Sequence, residues 1–289
     1  MDFHYLTYFL NGFLMIAIPI GLTIYLTRKF KQGWRLFWIG AATFIFSQVL
    51  HIPFNALVSP IFNQFGFIAL PVMTQTLISA AFLGLSAGLF EELSRYAMYR
   101  WIAKEARSWS RGLLAGAGHG GLEAIILGVL VLYGYIQMVG LRYADLSVVV
   151  PAGQLDAARA QIVAYWSAPW YMTMLGALER LFTIPLHLAC SLLVLQAFTR
   201  KQIWWVGLAV LYHALADGVA VVASGMKLPA LEIEGIIGLF AIVSVGIIFL
   251  LRNPEPEVEE IISQPVLVPE FNPKPVDETE ENLNKTRFQ

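Results

Sequence analysis

Seven apolar runs, each near the length that a helix needs to cross a bilayer, leave this chain few ways to fold. They run over Phe9–Leu26, Leu36–Pro53, Pro71–Phe90, Leu113–Val139, Tyr171–Phe198, Ile203–Ala223 and Ile233–Leu251. About 20 residues of helix span ~30 Å of hydrocarbon, where only helices and closed barrels satisfy every backbone group. Of 289 residues 57% are hydrophobic, and the mean hydropathy is positive. The sequence therefore predicts an all-α, polytopic bundle in which the third run continues as helix towards Tyr99. Pro19 and Pro185 fall inside runs and are tolerable there, because neighbouring helices can satisfy the freed backbone groups.

The basic residues orient the bundle. Arg28, Lys29, Lys31 and Arg35 follow run one; Arg95, Arg100, Lys104, Arg107 and Arg111 follow run three. Arg200 and Lys201 follow run five and Arg252 follows run seven, whereas the opposite side carries only Arg142, Arg159 and Lys227. The positive-inside rule then places the N-terminus outside and the C-terminus in the cytosol. The first run lacks a basic leader and an Ala-x-Ala-like site, so it reads as a retained span. In the loop Leu141–Trp170, the stretch Gln154–Trp166 reads as an amphipathic surface helix anchored by Tyr165, Trp166, Trp170 and Tyr171. Residues 1–252 form the transmembrane domain; 253–289, acidic and proline-rich, read as a disordered cytosolic tail. A net charge of −1 excludes a basic nucleic-acid surface, and a single cysteine, Cys190, excludes an internal disulfide.

The residues that an apolar bundle should not contain point to function. Glu123, His187, His213 and Asp217 sit well inside runs, and His119 lies about two turns into run four. Each charge at the centre of a span costs roughly 2.5–3.5 kcal/mol, so such groups must face one another, water or a ligand. Measured from the Lys/Arg-rich ends at ~1.5 Å per residue, His119 lies ~9 Å deep, Glu123 and His213 ~15 Å, His187 ~16 Å and Asp217 ~21 Å. Glu91 and Glu92 fall in the same layer if Arg95 and Arg100 snorkel to the interface. His119 and Glu123 are four residues apart, as are His213 and Asp217, so each pair shares a helix face; Glu91 and Arg95 do likewise. Histidines and carboxylates from four helices suit zinc, with a glutamate left over as general base. Asp217 is either a ligand or the partner that fixes the His213 tautomer, and whether His119 or Glu123 ligates stays open; Gly116, Gly118, Gly120 and Gly121 around His119 let a neighbouring helix approach closely. Glu179 and Arg180 read as a structural ion pair, and His4 and His51 as interhelical hydrogen-bonders.

The set Glu91-Glu92-Leu-Ser-Arg95, Gly118-His119-Gly-Gly-Leu-Glu123-Ala124, His187 and His213-Ala-Leu-Ala-Asp217 resembles the YhfC-type membrane peptidases. That family is related to the PrsW-type and CAAX-protease-like (CPBP) intramembrane metalloproteases. The resemblance implies that one glutamate of the Glu91/Glu92 pair acts as general base, with Arg95 beside it. It also implies that Glu123, His187 and His213 match the family's acidic and histidine positions, and that Asp217 matches its final Asn/Asp. Arg95 comes one residue earlier than in the CAAX-protease pattern, a departure that argues against prenylated substrates. The expected activity is zinc-dependent hydrolysis of a membrane-embedded or membrane-adjacent peptide, reached from the cytosolic half of the bundle in a bacterial cytoplasmic membrane. Two other readings remain open from sequence: an ion or proton carrier built on the same buried acids and histidines, and a non-catalytic relative that binds membrane proteins.

Overall fold

The computed structural model describes residues 3–253 and 284–285. Its helices are α1 (Phe3–Lys29), α2 (Arg35–Gln64), α3 (Val72–Ala97), α4 (Trp109–Tyr143), α5 (Leu146–Val149), α6 (Leu155–Ser167), α7 (Leu175–Thr199), α8 (Trp204–Gly225) and α9 (Ala230–Leu250). All but α5 and α6 are long and apolar enough to cross a membrane, and no strand occurs among the described residues. Apart from Asn253 and residues 284–285, the expected tail lies outside the described residues.

α3 runs on, as expected, but through a π-helical turn over Met98–Ile102. α2 departs from expectation by continuing through Pro53 and Pro60 to Gln64. The residues beyond Pro53 still include Phe54, Leu57, Val58, Ile61 and Phe62, and unwinding them in hydrocarbon would bare more backbone groups than one proline removes. α6 forms where the loop helix was expected. Its aromatics, however, pack inward: Tyr165 stacks on Tyr8 with centroids 4.0 Å apart, and Trp166 lies against Tyr5 and Tyr8.

α7 is the central helix, with 67% of its apolar window buried against α4, α8, α9 and α1. One end of the bundle gathers the basic residues: Arg252 lies over Trp109, Arg107 over Phe198 and Arg200 over Trp205. The other end brings α1 to α6 and the start of α3 to the end of α8 at Gly225. Between the ends, backbones come unusually close. A methyl at Gly118 would collide with the Phe37 carbonyl of α2, and one at Gly84 with the Ala214 carbonyl of α8. Without a hydrophobic effect between helices in lipid, this close approach of small residues supplies the packing that holds α2 to α4 and α3 to α8.

Gly118→Ala should therefore lower the thermal unfolding midpoint of the detergent-purified protein by the equivalent of about 2 kcal/mol, an overpacking cost. Gly134→Ala, where no atom lies within 4 Å of the added methyl, should leave it unchanged. Equal midpoints for the two variants would contradict this packing.

Candidate metal centre

Five helices meet at one buried polar cluster. α3 brings Glu91, Glu92 and Arg95; α4 brings His119; α7 brings His187; α8 brings His213; α2 adds Thr43 and Gln48. The residues from α3, α4, α7 and α8 are at most 6% exposed. Glu92 carries the fully buried end. Its Oε1 accepts from Arg95 Nη1 and from His213 Nδ1 at 2.7 Å. Arg95 Nη2 lies 3.5 Å from Glu91 Oε2 and donates to His187 Nδ1 at 2.8 Å. One guanidinium thus contacts two adjacent carboxylates and orients a histidine, a fork geometry that lysine lacks.

The hydrogen bonds show which partner each ring nitrogen faces. Thr43 Oγ1 bonds the Gly40 carbonyl and lies 3.1 Å from His119 Nδ1. On the other side of that ring, Nε2 and Glu91 Oε2 are hydrogen-bonded at 3.0 Å, the carboxylate accepting. His213 gives its Nδ1 proton to Glu92, so its Nε2 lone pair faces Glu91 Oε2 at 3.8 Å. His187 is engaged on both sides: Nδ1 accepts from Arg95, and Nε2 donates to Glu123 Oε2 at 2.8 Å. Gln48 donates to Glu91 Oε1 at 3.1 Å and so occupies the other oxygen of that carboxylate.

Among the described residues two groups of donors are close enough to share an ion: Glu91, His119 and His187, and Glu92, Cys190 and His213, the atoms of each lying within 4.8 Å of one another. Imidazole nitrogens grouped around one carboxylate oxygen, and a buried Glu92 Oε2 without a hydrogen-bond partner among the described residues, make a donor-atom-rich pocket that suits a cation. Carboxylate, imidazole and thiolate are the ligand types zinc takes, so the residues present fit that metal.

Of the residues expected at this site, Glu91, Glu92, Arg95, His119, His187 and His213 come together. Glu123 and Asp217 stand one step back. Glu123 bridges His187 and Arg180, with Oε1 2.7 Å from Arg180 Nη1, and Asp217 Oδ2 lies 3.6 Å from His213 Nε2. Arg180 also pairs with Glu179, so that ion pair extends to the cluster instead of standing apart. His51 bonds Ser86 and Asn55, and His4 bonds the Ala168 carbonyl, both as interhelical or local hydrogen-bonders. Sequence reasoning did not bring out Cys190, Thr43 or Gln48. Cys190 had a usable signal, since it lies three residues after His187 and so shares its face.

The family model described as "YhfC intramembrane metalloprotease" matches residues 14–238. The chain is also 32% identical over 240 residues to "Uncharacterized membrane protein YhfC" of Bacillus subtilis (strain 168), covering 82% of this chain and 92% of the relative. No solved structure matches.

Arg95→Leu would strand two buried carboxylates, and its cost should be about 3–5 kcal/mol, seen as a large fall in the thermal unfolding midpoint in detergent. Arg95→Lys keeps the charge and should fall between Arg95→Leu and wild type. A wild-type midpoint for Arg95→Leu would contradict the ion-pair assignment.

Proposed function

Because the chain belongs to the YhfC intramembrane metalloprotease family, we propose that it is a metal-dependent endopeptidase that hydrolyses a membrane-embedded or membrane-adjacent peptide segment. One observation carries the reading. Three imidazole nitrogens converge on Glu91 Oε2: His119 Nε2 at 3.0 Å, His213 Nε2 at 3.8 Å and His187 Nδ1 at 3.9 Å. His119, His213 and His187 would hold the metal, with zinc the ion their chemistry suits. His187 joins that set by exchanging the Arg95 contact at Nδ1 for the ion. When bound, the ion supplies Lewis acidity, which makes water a better nucleophile and polarises the scissile carbonyl.

The chain's own groups divide the remaining work. Glu91 is the general base: Gln48 holds Oε1, and Oε2, the oxygen on which the histidines converge, takes a proton from the attacking water and returns it to the leaving amine. Glu92 is a positioning residue, since its Oε1 holds the His213 Nδ1 proton and thereby turns Nε2 towards Glu91. Arg95 fixes both carboxylates, and Glu123 with Arg180 holds His187 from the opposite ring nitrogen. Asp217 stands beside His213 Nε2 as a further carboxylate. Residues 1–252 constitute the catalytic domain and 253–289 a separate cytosolic tail, in a protein resident in a bacterial cytoplasmic membrane.

A second reading rests on a continuous run of polar contacts from Glu179 through Arg180, Glu123, His187, Arg95 and Glu92 to His213. Such a run could carry protons. Proton flux into liposomes that persists in a chelator would favour it over hydrolysis.

Glu91→Gln tests the peptidase reading. In proteoliposomes carrying a panel of single-span peptides, cleavage by the variant should fall by about 10²-fold or more while bound metal is retained. Undiminished cleavage by Glu91→Gln would overturn the assignment of the base.

A further inference from the structure

A hydrolytic site buried to this degree needs a route for water, and the two ends of the bundle differ in whether they can provide one. Towards the basic end, the cluster is closed by tightly packed side chains. Met98, Tyr99, Leu114, Leu192 and Leu195 are each at most 1% exposed, and the one hydroxyl among them, on Tyr99, bonds Ser191 at 2.7 Å. That layer gives water neither space nor spare polar partners on a path to the cluster. The cavity of about 290 Å³ at this end, lined by Lys29, Trp109 and Arg252 between α1, α4, α7 and α9, includes no residue of the cluster in its walls.

The opposite side has both. Between α7, α8 and α9 lies a cavity of about 90 Å³ lined by Glu179, Thr183 and Asp217, with Phe182, Ile237 and Phe240 as apolar walls. One water needs only ~10–15 Å³ of such space. The surrounding polar atoms are short of partners among the described residues: Thr183 Oγ1, Arg180 Nε and Glu234 Oε2 have none. Glu234 is only 7% exposed and lies three residues before Ile237, on the same face of α9. Ordered waters satisfy isolated buried groups of this kind. The cavity also touches both arms of the site. Asp217 lies 3.6 Å from His213 Nε2, and Glu179 is joined through Arg180 and Glu123 to His187.

Position along the helices completes the picture. Thr183 is about 12 Å along α7 from Leu175, and Asp217 is about 12 Å along α8 from Gly225. His187 and His213 lie about 18 Å from those same ends. The cavity therefore stands between the cluster and the end of the bundle that is poor in lysine and arginine. We propose that this cavity is the water conduit of the site, and that water enters from the Lys/Arg-poor end. This reverses the expectation of access from the basic, cytosolic half. The conduit itself stands on packing alone; its role in hydrolysis rests on the peptidase reading.

Cysteine accessibility in the full chain, in lipid nanodiscs open at both faces, tests it. The probe is a water-soluble trimethylammonium methanethiosulfonate, with labelling followed by mass spectrometry. Wild type, whose only cysteine is the buried Cys190, gives the background rate. Thr183→Cys and Ala216→Cys place a thiol at the cavity, and Ser191→Cys, nearly isosteric, places one in the packed layer. Labelling at either cavity position should exceed that at Ser191→Cys by about tenfold or more, since thiol reactivity follows exposure to water. If neither cavity position labels faster than Ser191→Cys, the conduit is overturned. Rapid labelling at the cavity in a protein that cleaves no peptide would overturn the peptidase reading and leave the conduit standing.

Discussion

The structure depends on one buried guanidinium. Two adjacent carboxylates inside a membrane helix would each disfavour the other and the fold, and Arg95, in contact with both, lowers that penalty. The same group reaches His187 on α7, while Glu92 reaches His213 on α8. The charge compensation that lets α3 enter the bilayer is thus also the set of bonds that aims two histidines. Stability and site geometry are not separable here, which is why the polar residues are so completely buried.

Close backbone packing is what makes those bonds possible. Arg95 and the glutamates span only a few ångströms, so α3, α4, α7 and α8 must approach until side chains of ordinary length can meet. Glycines at the crossings permit this: Gly84 and Gly88 of α3 lie against the carbonyls of Ala214, next to His213, and of Val210, one turn before it. Gly116 and Gly120 of α4 lie against α7 at His187 itself, the latter directly on its ring. The small residues around the histidines are therefore part of the site's construction, because any larger side chain there would push the imidazoles away from Glu91.

Much of this was legible in the sequence, for a physical reason: membrane helices are nearly straight rods of fixed rise, so depth can be counted. The count put Glu91, His187 and His213 in one layer, and they meet there. The seven spans were visible because hydrocarbon thickness sets their length, although α2 overran its expected end where proline proved a weak stop in an apolar run. Counting depth does not give azimuth, and azimuth decides contact. Glu123 has the same depth as His213 but bonds His187 and Arg180, and Asp217, expected as a ligand or as the partner of His213, stands 3.6 Å from His213 at the cavity wall. Thr43 and Gln48 escaped notice because neither is ionisable and each is unremarkable within α2. Their roles come from the partners that tertiary packing sets opposite them.

The central claim is that histidines from α4, α7 and α8 hold a metal ion beside Glu91 of α3, and metal content tests it most directly. Elemental analysis of detergent-purified full-length protein, wild type beside His213→Ala, should find about one zinc per chain in the former and little in the latter. An absence of bound metal in wild type after zinc is supplied would contradict the claim, as would wild-type zinc content in His213→Ala.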